Sequence, residues 1–532
     1  MGIDNAIQNA RARLLAELTP QGRWEGELSS SALATAVAAF ALKSAGKTEL
    51  AERGLQWLRD HRNADGGWGD SPESPSNFTT TLLCRCALDL ETGDPEKLAA
   101  EILRFYGADR TFSVPILTMC MLAGKLGDDW AAVPQLPFEL AVFPHKLYRF
   151  LNLPVVSYAL PALIAIGLVR HAHKPAPLAC YRNGLVARVL AILRSIQPES
   201  GGFLEAAPLT GFVAMSLVGA GQGDHPVAKN CIRFLEETVR AEGCWPIDIN
   251  LSSWVTALAV RALDGDLSDE QRDALRNHLV KTQWQEEHPF THAEPGGWGW
   301  TNHQGGVPDA DDTAAALIAL HQLGCDTAIA ERGILWLLQL QNRDGGMPTF
   351  CKGWGKLPFD RSCPDLTAHM IRAFALWRDD VDENLWAAMF DSILTGVAYL
   401  EKQQRPDGSW VPLWFGSQSN PDRENPVYGT CRVLEALTGL DEKQFPQVGP
   451  MKQRAFRWLE HLPPDGLGIE ELALWTGMTG KGVDVLLEKT AEGTRFPASP
   501  IGLYFASLWY SEKLYPLIFS VEALKRCRKN DE

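Results

Sequence analysis

Three aspartates stand within four residues in the run Pro308-Asp309-Ala310-Asp311-Asp312-Thr313-Ala314, directly before an apolar stretch from Ala315 to Leu323. Like charges held this close oppose joint ionisation, so at least one of the three carboxyls is expected to keep its proton at neutral pH. A protonated carboxyl beside an apolar cavity is a general acid. Because a turn or a helix cap requires one aspartate only, the run indicates acid chemistry at a helix N-terminus.

A second pattern recurs along the chain and identifies the elements that must position this run. It consists of a small residue, an apolar or aromatic residue at +3, Leu at +4, often Gln at +8, Gly at +12 and an aromatic or apolar residue at +14. The clearest copies are Gly396-Tyr399-Leu400-Gln404-Gly408-Trp410, Gly333-Trp336-Leu337-Gln341-Gly345-Met347 and Val189-Ile192-Leu193-Gln197-Gly201-Phe203. The spacing predicts a helix that ends in a glycine turn, after which the aromatic side chain packs back against its neighbours.

A second helix, begun by Ser, Thr, Asp or Asn, is predicted after each of these turns. Helix pairs repeated at intervals of tens of residues, with almost no strand pattern, predict an all-α protein in which the pairs form closed or stacked arrays. In such a toroid the second helix of each pair faces the centre, and its N-terminus points at the lumen. The repeated glycines and tryptophans are expected to serve packing rather than chemistry.

Length, charge and cysteine usage exclude several classes of protein. The chain has 532 residues, enough for two to four domains, and its net charge of −15 argues against binding to nucleic acid or to an anionic membrane surface. The N-terminus lacks the layout of a signal peptide, and the longest apolar run, residues 154–169, is too short for a confident membrane span. Eleven cysteines without a CxxC pair indicate reduced thiols. We therefore expect a cytoplasmic protein with at most peripheral membrane contact.

Over nearly its whole length the chain resembles the squalene–hopene cyclase family, the class II (protonation-initiated) terpene cyclases. The repeats match that family's QW motifs, and Asp309-Ala310-Asp311-Asp312-Thr313-Ala314 fits its DxDDTA motif. A third match is Asp365-Leu366-Thr367-Ala368-His369, which is similar to its DVTAH segment. The resemblance implies two (α/α) barrel domains, or toroids, with the active cavity between them. One would span residues 21–249, and the other would comprise residues 250–532 with the N-terminal helix 1–20 packed onto them.

The same resemblance implies a role for each acidic residue. Asp311 would protonate a terminal alkene of a linear isoprenoid, and a charged His369 would hydrogen-bond to Asp311. Asp365 would polarise His369, while Asp309 and Asp312 would supply crowded negative surroundings. An alkene is a very weak base, so its acid must be held dry and aimed at the cavity. Ring closures through carbocations would follow, ended by deprotonation or by capture of water.

Carbocations need stabilisation by groups that do not quench them, and aromatic faces supply it by cation–π attraction. Five residues match or replace aromatic residues of the family's cavity, namely Trp254, Trp300, Trp414, Tyr158 and Tyr504. Each one alone is more typical of a packed core than of a cavity wall. As a set they predict the lining.

Departures from the family favour a shorter or polar-headed substrate, such as farnesyl diphosphate, geranylgeranyl diphosphate or a prenylated aromatic compound. The family's squalene members carry an apolar, membrane-dipping helix near residues 173–184, where this chain passes straight to the next repeat. Lys356 and Arg361 could neutralise an anionic head group, although a solvated loop explains them equally well. No redox cofactor or protein-bound metal is implied, and Mg²⁺ would matter only if the substrate carries a diphosphate.

Three alternatives to this reading stay open. Within the enzyme class, the chain could be a squalene cyclase that makes a hopene-like triterpene. A protein prenyltransferase β-subunit shares the ring of helices but needs a zinc set and a partner subunit; Cys363, Asp365 and His369 have a zinc-like spacing. A non-catalytic toroid that binds a lipid is the third alternative. The sequence does not determine the oligomeric state.

Overall fold

The computed structural model describes residues 2–107, 110–144, 160–175, 179–289, 291–349, 360–503 and 508–531, and nearly all regular structure in these ranges is α-helical. Outer and inner helices alternate along the chain, and burial distinguishes them. Every residue of the inner helix Ser252–Ala262 is buried, whereas Asp269–Thr282, the outer helix that follows it, buries only Leu275 and Leu279.

The inner helices of the first half form a closed ring. Within the described ranges its members are α2 (Ala32–Ser44), α4 (Phe78–Ala87), α6 (Arg110–Leu122), α7 (Leu160–His173) and α9 (Ala207–Gly219). Each member contacts the next, and α9 closes the ring against α2. Outside it lie α3 (Thr48–Asp60), α5 (Pro95–Tyr106), α8 (Ala179–Ser195) and α10 (Pro226–Glu237).

A second ring follows in the other half of the chain. Its inner helices are α11 (Ser252–Ala262), α13 (Ala310–Gln322), α15 (Pro364–Leu376), α17 (Pro426–Thr438), α19 (Ile469–Thr479) and α21 (Tyr515–Asp531). Successive members are in contact, and α21 closes the ring against α11. The outer helices are α12 (Asp269–Thr282), α14 (Thr327–Leu340), α16 (Glu383–Gln403), α18 (Val448–Glu460), α20 (Val483–Lys489) and α1 (Ile3–Ala16), the last of which packs on α20 and α21. The prediction of two α-helical toroids is therefore confirmed.

Hydrogen bonds explain why the repeat spacing is so regular. At the end of α16, Trp410 Nε1 donates to Leu400 O at 2.8 Å, and the backbone N–H of Trp410 donates to Thr430 Oγ1 of the next inner helix at 3.0 Å. Gln404 Nε2 donates both to Gly408 O at 2.9 Å and to Met451 O of the next outer helix at 3.0 Å. Each turn thus ties together its own helix and the two that follow it.

The glycine of this turn is required by its conformation and by its surroundings. Gly408 has a φ of +101°, and a Cβ at this position would lie 2.5 Å from Arg454 O. We predict that Gly408→Ala lowers the free energy of unfolding by more than about 2 kcal/mol, measured by urea denaturation. Gly46→Ala is the matched control, because Gly46 also has a positive φ, +78°, but no atom within 4 Å of the added Cβ. Equal losses in the two variants would contradict the packing argument.

One copy of the turn escapes recognition in the sequence because an insertion interrupts its spacing. Gln283 Nε2 donates to Gly296 O at 2.8 Å, and Trp298 Nε1 donates to Leu279 O at 2.7 Å. Residues 284–295 separate the glutamine from its glycine, yet the same bonds form. This copy stands directly before the aspartate run and fixes the start of α13.

A small antiparallel sheet was also not expected from the sequence. It consists of β1 (Phe415–Ser417), β2 (Ile501–Leu503) and β3 (Leu508–Tyr510), hydrogen-bonded in the order β1-β2-β3. Strands of three residues are too short to show a period of two. The sheet brings a segment near the C-terminus against the turn that follows Trp414.

Two hydrophobic cores correspond to the two rings. One contains buried residues between Ala32 and Trp245 together with Val307. The other contains buried residues of α1 and most of those from Trp254 to Leu524. Trp24 packs in the second core, although the sequence assigns residues 21–249 to the first toroid. The domain limits stay a prediction. In the part of the chain that the structure describes, none of the helices combines the length and the apolar character that a membrane crossing needs.

Candidate active site

A cavity of about 400 Å³ lies between the two cores. The first core contributes residues such as Leu33, Leu83 and Phe212 to its wall, and the second contributes Trp254 and Leu366. The described part of the wall is mostly apolar and aromatic, and its charged side chains are four aspartates: Asp248, Asp309, Asp311 and Asp312. A largely apolar cavity with a few convergent polar groups is the usual form of a small-molecule site.

The aspartate run enters this wall at the N-terminus of α13. Asp309 is the N-cap residue, and its carboxylate accepts the backbone N–H of Asp312 at 2.8 Å. The backbone N–H groups of Asp309 and Ala310 donate to Trp298 O and Thr349 O, which holds the run in place on both sides. As a result, all three aspartates face the cavity.

Burial and crowding raise the pKa of two of these carboxyls. Burial raises the pKa of Asp309 to about 7, and the nearby charge of Asp311 acts in the same direction. Burial also raises the pKa of Asp312 well above its ordinary value, and the adjacent Asp309 raises it further. Both directions agree with the expectation that at least one aspartate stays protonated at neutral pH.

Asp311 is paired with His369 across the two adjacent inner helices α13 and α15. His369 Nδ1 lies 2.6 Å from Asp311 Oδ1, and the side chains are only 12% and 17% exposed. The sequence predicted this contact but assigned a positive charge to the histidine. Burial lowers the pKa of His369, and its bond to Asp311 offsets that only in part. The neutral imidazole is therefore the favoured form.

Asp365 is placed near this pair but does not play the part expected of it. Its Oδ1 accepts the thiol of Cys363 at 2.6 Å, and its Oδ2 is buried with no hydrogen-bond partner among the described residues. The hydrogen bond to His369 is not formed, because Asp365 lies in the first turn of α15 and bonds back to the residue before the helix. Burial and the charge of Asp311 raise the pKa of Asp365 to about 7.

Three of the five predicted aromatic residues are described, and all three line the cavity: Trp254, Trp300 and Trp414. The ring centroid of Trp254 lies 6.0 Å from that of His369 in a T-shaped contact. Tyr158 and Tyr504 lie outside the described residues. Sequence reasoning missed Phe415, whose ring stacks on Tyr428 at 4.4 Å, and Tyr510. Both depend on the short sheet, and the only signal for Phe415 was its position next to Trp414.

Of the two basic residues proposed for a head group, the structure describes one. Arg361 is exposed and is not part of the cavity wall in the described ranges, and Lys356 lies outside them. No lysine, arginine or histidine lines the described part of the wall.

A second pair of acidic residues, missed in the sequence, approaches the cavity from the first toroid. Glu205 Oε1 accepts the hydroxyl of Ser200 and the N–H of Gly305, each at 2.9 Å, while its Oε2 is buried without a described partner. Leu204 and Glu205 both have positive φ values, +56° and +54°, which is strained for side chains of this size. Burial and the charge of Glu205 raise the pKa of Asp248 well above its ordinary value.

The buried carboxyl of Glu205 makes a pH-dependent contribution to stability. Burial raises its pKa to about 6, so its contribution is complete below the pKa of the unfolded chain and is lost as the pH rises through 6. Glu205→Gln keeps the acceptor oxygen but cannot ionise. Between pH 5 and pH 8 we expect the free energy of unfolding of the wild type to fall by about 1 kcal/mol more than that of Glu205→Gln. Urea unfolding at both pH values measures this, and parallel losses would show that Glu205 does not ionise in this range.

Models of the squalene–hopene cyclase N-terminal and C-terminal domains match residues 7–204 and 251–474 of this chain. Together the two matches cover most of both toroids. The chain belongs to the squalene–hopene cyclase family. Asp311 and His369 lie in the two motifs by which the chain resembles this family.

Curated relatives in the family are distant in sequence. Squalene hopane cyclase afumA of Aspergillus fumigatus is 24% identical over 526 residues, which cover 76% of this chain and 69% of that protein. Enfumafungin synthase efuA of Hormonema carpetanum is 25% identical over 83% of this chain but only 40% of its own length. A probable squalene–hopene cyclase of Sinorhizobium fredii is 25% identical over 86% of this chain and 81% of its own. This chain therefore spans between two fifths and four fifths of these three relatives.

Among solved structures, the type II terpene cyclase MstE from Scytonema is 16% identical to this chain in its unliganded form. The match covers 53% of this chain and 89% of MstE, with a TM-score of 0.38.

The zinc set of a prenyltransferase is not assembled by the described residues. No group of three His, Cys, Asp or Glu side chains in the described ranges is arranged to hold a metal ion. The Cys363 thiol is bonded to Asp365, and burial raises the pKa of Cys363 well above its ordinary value, which disfavours the thiolate that binds zinc. His369 faces Asp311 instead of this thiol.

Proposed function

We propose that the protein is an enzyme that protonates the terminal alkene of a linear isoprenoid and cyclises it, with Asp311 as the acid. The observation that carries this proposal is the Asp311–His369 hydrogen bond of 2.6 Å on the wall of a largely apolar cavity. The Nδ1–H group of His369 donates to Asp311 Oδ1, and Oδ2 carries the acidic proton toward the substrate. The largely apolar wall keeps bulk water, a much better base than the alkene, away from this proton.

The first step transfers this proton to the terminal alkene carbon. The π electron pair forms the new C–H bond, positive charge develops on the adjacent carbon, and Asp311 is left as a carboxylate that the Nδ1–H of His369 stabilises. Each further alkene attacks the cation and moves the charge along the chain. The faces of Trp254, Trp300 and Trp414 stabilise the cations by about 0.5–2 kcal/mol each.

The cascade ends in one of two ways, and they define the reaction class. Loss of a proton returns an isomer of the substrate, as expected for an isomerase. Capture of water adds a hydroxyl group, as expected for a lyase-type enzyme. In either case the proton lost balances the one that Asp311 donated, directly or through the solvent.

For the substrate we propose a prenyl chain shorter than squalene with a polar but uncharged head, such as a prenylated aromatic compound. The described wall carries aspartates and tyrosines but no basic side chain, which disfavours an anionic diphosphate. Mg²⁺ would be required only if the substrate carries a diphosphate. Squalene is the second candidate, supported by the curated relatives that are named squalene–hopene cyclases. The cytoplasmic location and the peripheral membrane contact stay predictions.

The test is a product search in D₂O with four substrates: squalene, farnesyl diphosphate, geranylgeranyl diphosphate and geranylgeranyl dihydroxybenzoate, the last being a substrate of MstE. Because the acid exchanges its proton with the solvent, we expect a cyclic product with one deuterium at the former terminal alkene carbon, read by mass spectrometry and NMR. A cyclic product without deuterium at that carbon, or release of diphosphate, would contradict initiation by protonation.

A further inference from the structure

A cluster of buried charges lies inside the second toroid, behind the acid. We call it the arginine cluster; its members are Arg261, Arg372, Arg432, Arg526, Glu435 and Glu522. Helix spacing places it there. On α11 Arg261 follows the cavity residue Trp254 by seven positions, and on α17 Glu435 follows Tyr428 by seven, so each lies about 10 Å deeper along its helix.

Glu435 is the centre of this cluster. Its Oε2 lies 3.0 Å from Arg372 and from Arg432 and 3.8 Å from Arg261, and its Oε1 lies 3.3 Å from Arg526. Four guanidinium groups therefore meet two carboxylates, an excess of two positive charges. The Arg432 side chain is only 9% exposed, and one of its terminal nitrogens is buried without a described partner.

A narrow cavity of about 10 Å³ joins the cluster to the acid. Its wall includes Asp311 and His369 on one side and Arg261, Arg372 and Arg432 on the other. The charged and titratable groups around His369 are Arg261 on α11, Asp311 on α13, Asp365 and Arg372 on α15, and Tyr428, Arg432 and Glu435 on α17. Glu522 and Arg526 of α21 lie behind them.

We propose that the excess positive charge of the arginine cluster keeps His369 neutral and makes Asp311 a stronger acid. The second half of this inference rests on the proposed function, and the first half does not. A nearby positive charge destabilises the imidazolium form of His369 and stabilises the carboxylate form of Asp311. It therefore favours a neutral histidine and a more acidic aspartate. The cluster thereby does at a distance what a charged histidine would do by contact, and His369 is free to act as a neutral donor through Nδ1. Arg432 is therefore a positioning residue, because it acts on Asp311 and His369 through the electric field of its charge.

The size of the effect follows from Coulomb's law. One unit charge about 10 Å away, at an effective dielectric constant of about 20, shifts a neighbouring pKa by about one unit. Arg432→Met removes the charge and keeps a long apolar side chain, while Arg432→Lys keeps the charge. Arg526→Met is the matched control, because Arg526 belongs to the same cluster but is 33% exposed and does not line the narrow cavity.

The test that needs no substrate is an NMR titration of the intact protein with ¹³C-labelled histidine rings. The chain has 12 histidines, and loss of one signal in His369→Asn assigns the ring of interest. We expect the pKa of His369 in the wild type to lie below its ordinary value. In Arg432→Met that pKa should rise by about one unit. Arg432→Lys should restore the wild-type value, and Arg526→Met should shift it by less than about 0.3 unit. A charged His369 in the wild type at pH 7, or equal shifts in Arg432→Met and Arg526→Met, would overturn the proposal.

The pH profile of cyclisation tests the second half once a substrate is identified. Removing a positive charge makes protons bind more tightly to both members of the pair, Asp311 and His369. Both limbs of the profile should therefore move to higher pH by about one unit in Arg432→Met, with turnover about tenfold lower, and Arg432→Lys should reverse both changes. Lower turnover with both limbs unmoved would reduce Arg432 to a structural role and overturn this half. Circular dichroism and thermal denaturation of each variant establish that the compared proteins are folded.

Discussion

Asp311→Asn is expected to lower the turnover of any accepted isoprenoid by about 10³-fold or more. The asparagine has the same shape and can still bond to His369, but it has no acidic proton to transfer to the alkene. Initial rates with the substrate identified in the D₂O experiment measure the loss. Affinity for the substrate should change little, because the side chain occupies the same volume in the apolar wall.

A matched substitution separates loss of the acid from damage to the fold. Asp326→Asn makes the same chemical change at the N-cap of α14, where Asp326 accepts the N–H of Ala328 at 2.8 Å outside the cavity wall. This control should keep wild-type turnover. If Asp311→Asn retained turnover within tenfold of the wild type while Asp312→Asn abolished it, the acid would be Asp312 and the assignment would be wrong.

Glu435→Ala is expected to lower the free energy of unfolding by about 3–5 kcal/mol. The carboxylate is 5% exposed and is shared by four arginines, so its removal leaves buried guanidinium groups facing one another. The positive charges of these arginines push the pKa of Glu435 well below its ordinary value, although burial opposes them. Urea denaturation at pH 7 provides the measurement.

The control for this prediction is Glu460→Ala at the end of α18. Glu460 is half exposed and pairs with Lys481 at 3.1 Å, an arrangement that contributes little in solvent. If the free energy of unfolding fell no more in Glu435→Ala than in Glu460→Ala, the arginines would have to become hydrated or rearrange. The cluster would then be too loosely held to set the charge of His369.

The charge of the active pair and the stability of the second toroid therefore depend on the same cluster. The arginines are held in place by Glu435 and Glu522, and they in turn oppose protonation of His369. A protein that needed only a stable toroid could fill this space with apolar side chains at no loss of stability.

The local parts of the molecule were predictable because the sequence spacing alone fixes them. The bond from Trp410 Nε1 to Leu400 O spans ten residues and follows from the repeat. The capping of α13 by Asp309 spans three residues and follows from the aspartate run. Where residues 284–295 break the spacing, the sequence signal disappears although the turn itself is formed.

The Asp311–His369 contact was predicted over a separation of 58 residues, but only because both residues belong to motifs of a known family. Motif membership did not secure the contact expected of Asp365, and residues outside any motif were placed wrongly or missed. Asp365 bonds to Cys363 instead of His369, Arg361 is exposed instead of facing the cavity, and Glu205 and Asp248 were not singled out at all.

By itself the sequence determined the all-α class, the paired helices with their glycine turns, and a run of aspartates at the start of an inner helix. These depend on contacts within one or two helical turns, whose geometry is the same in every protein. Only the tertiary structure decided that burial lowers the pKa of His369, that it raises the pKa of Asp309 and Asp312, and that four arginines lie behind this site. Those properties depend on closure of the second ring and on burial between the two cores, since a pKa is set by charges and solvent that are far apart in the sequence and close together in space.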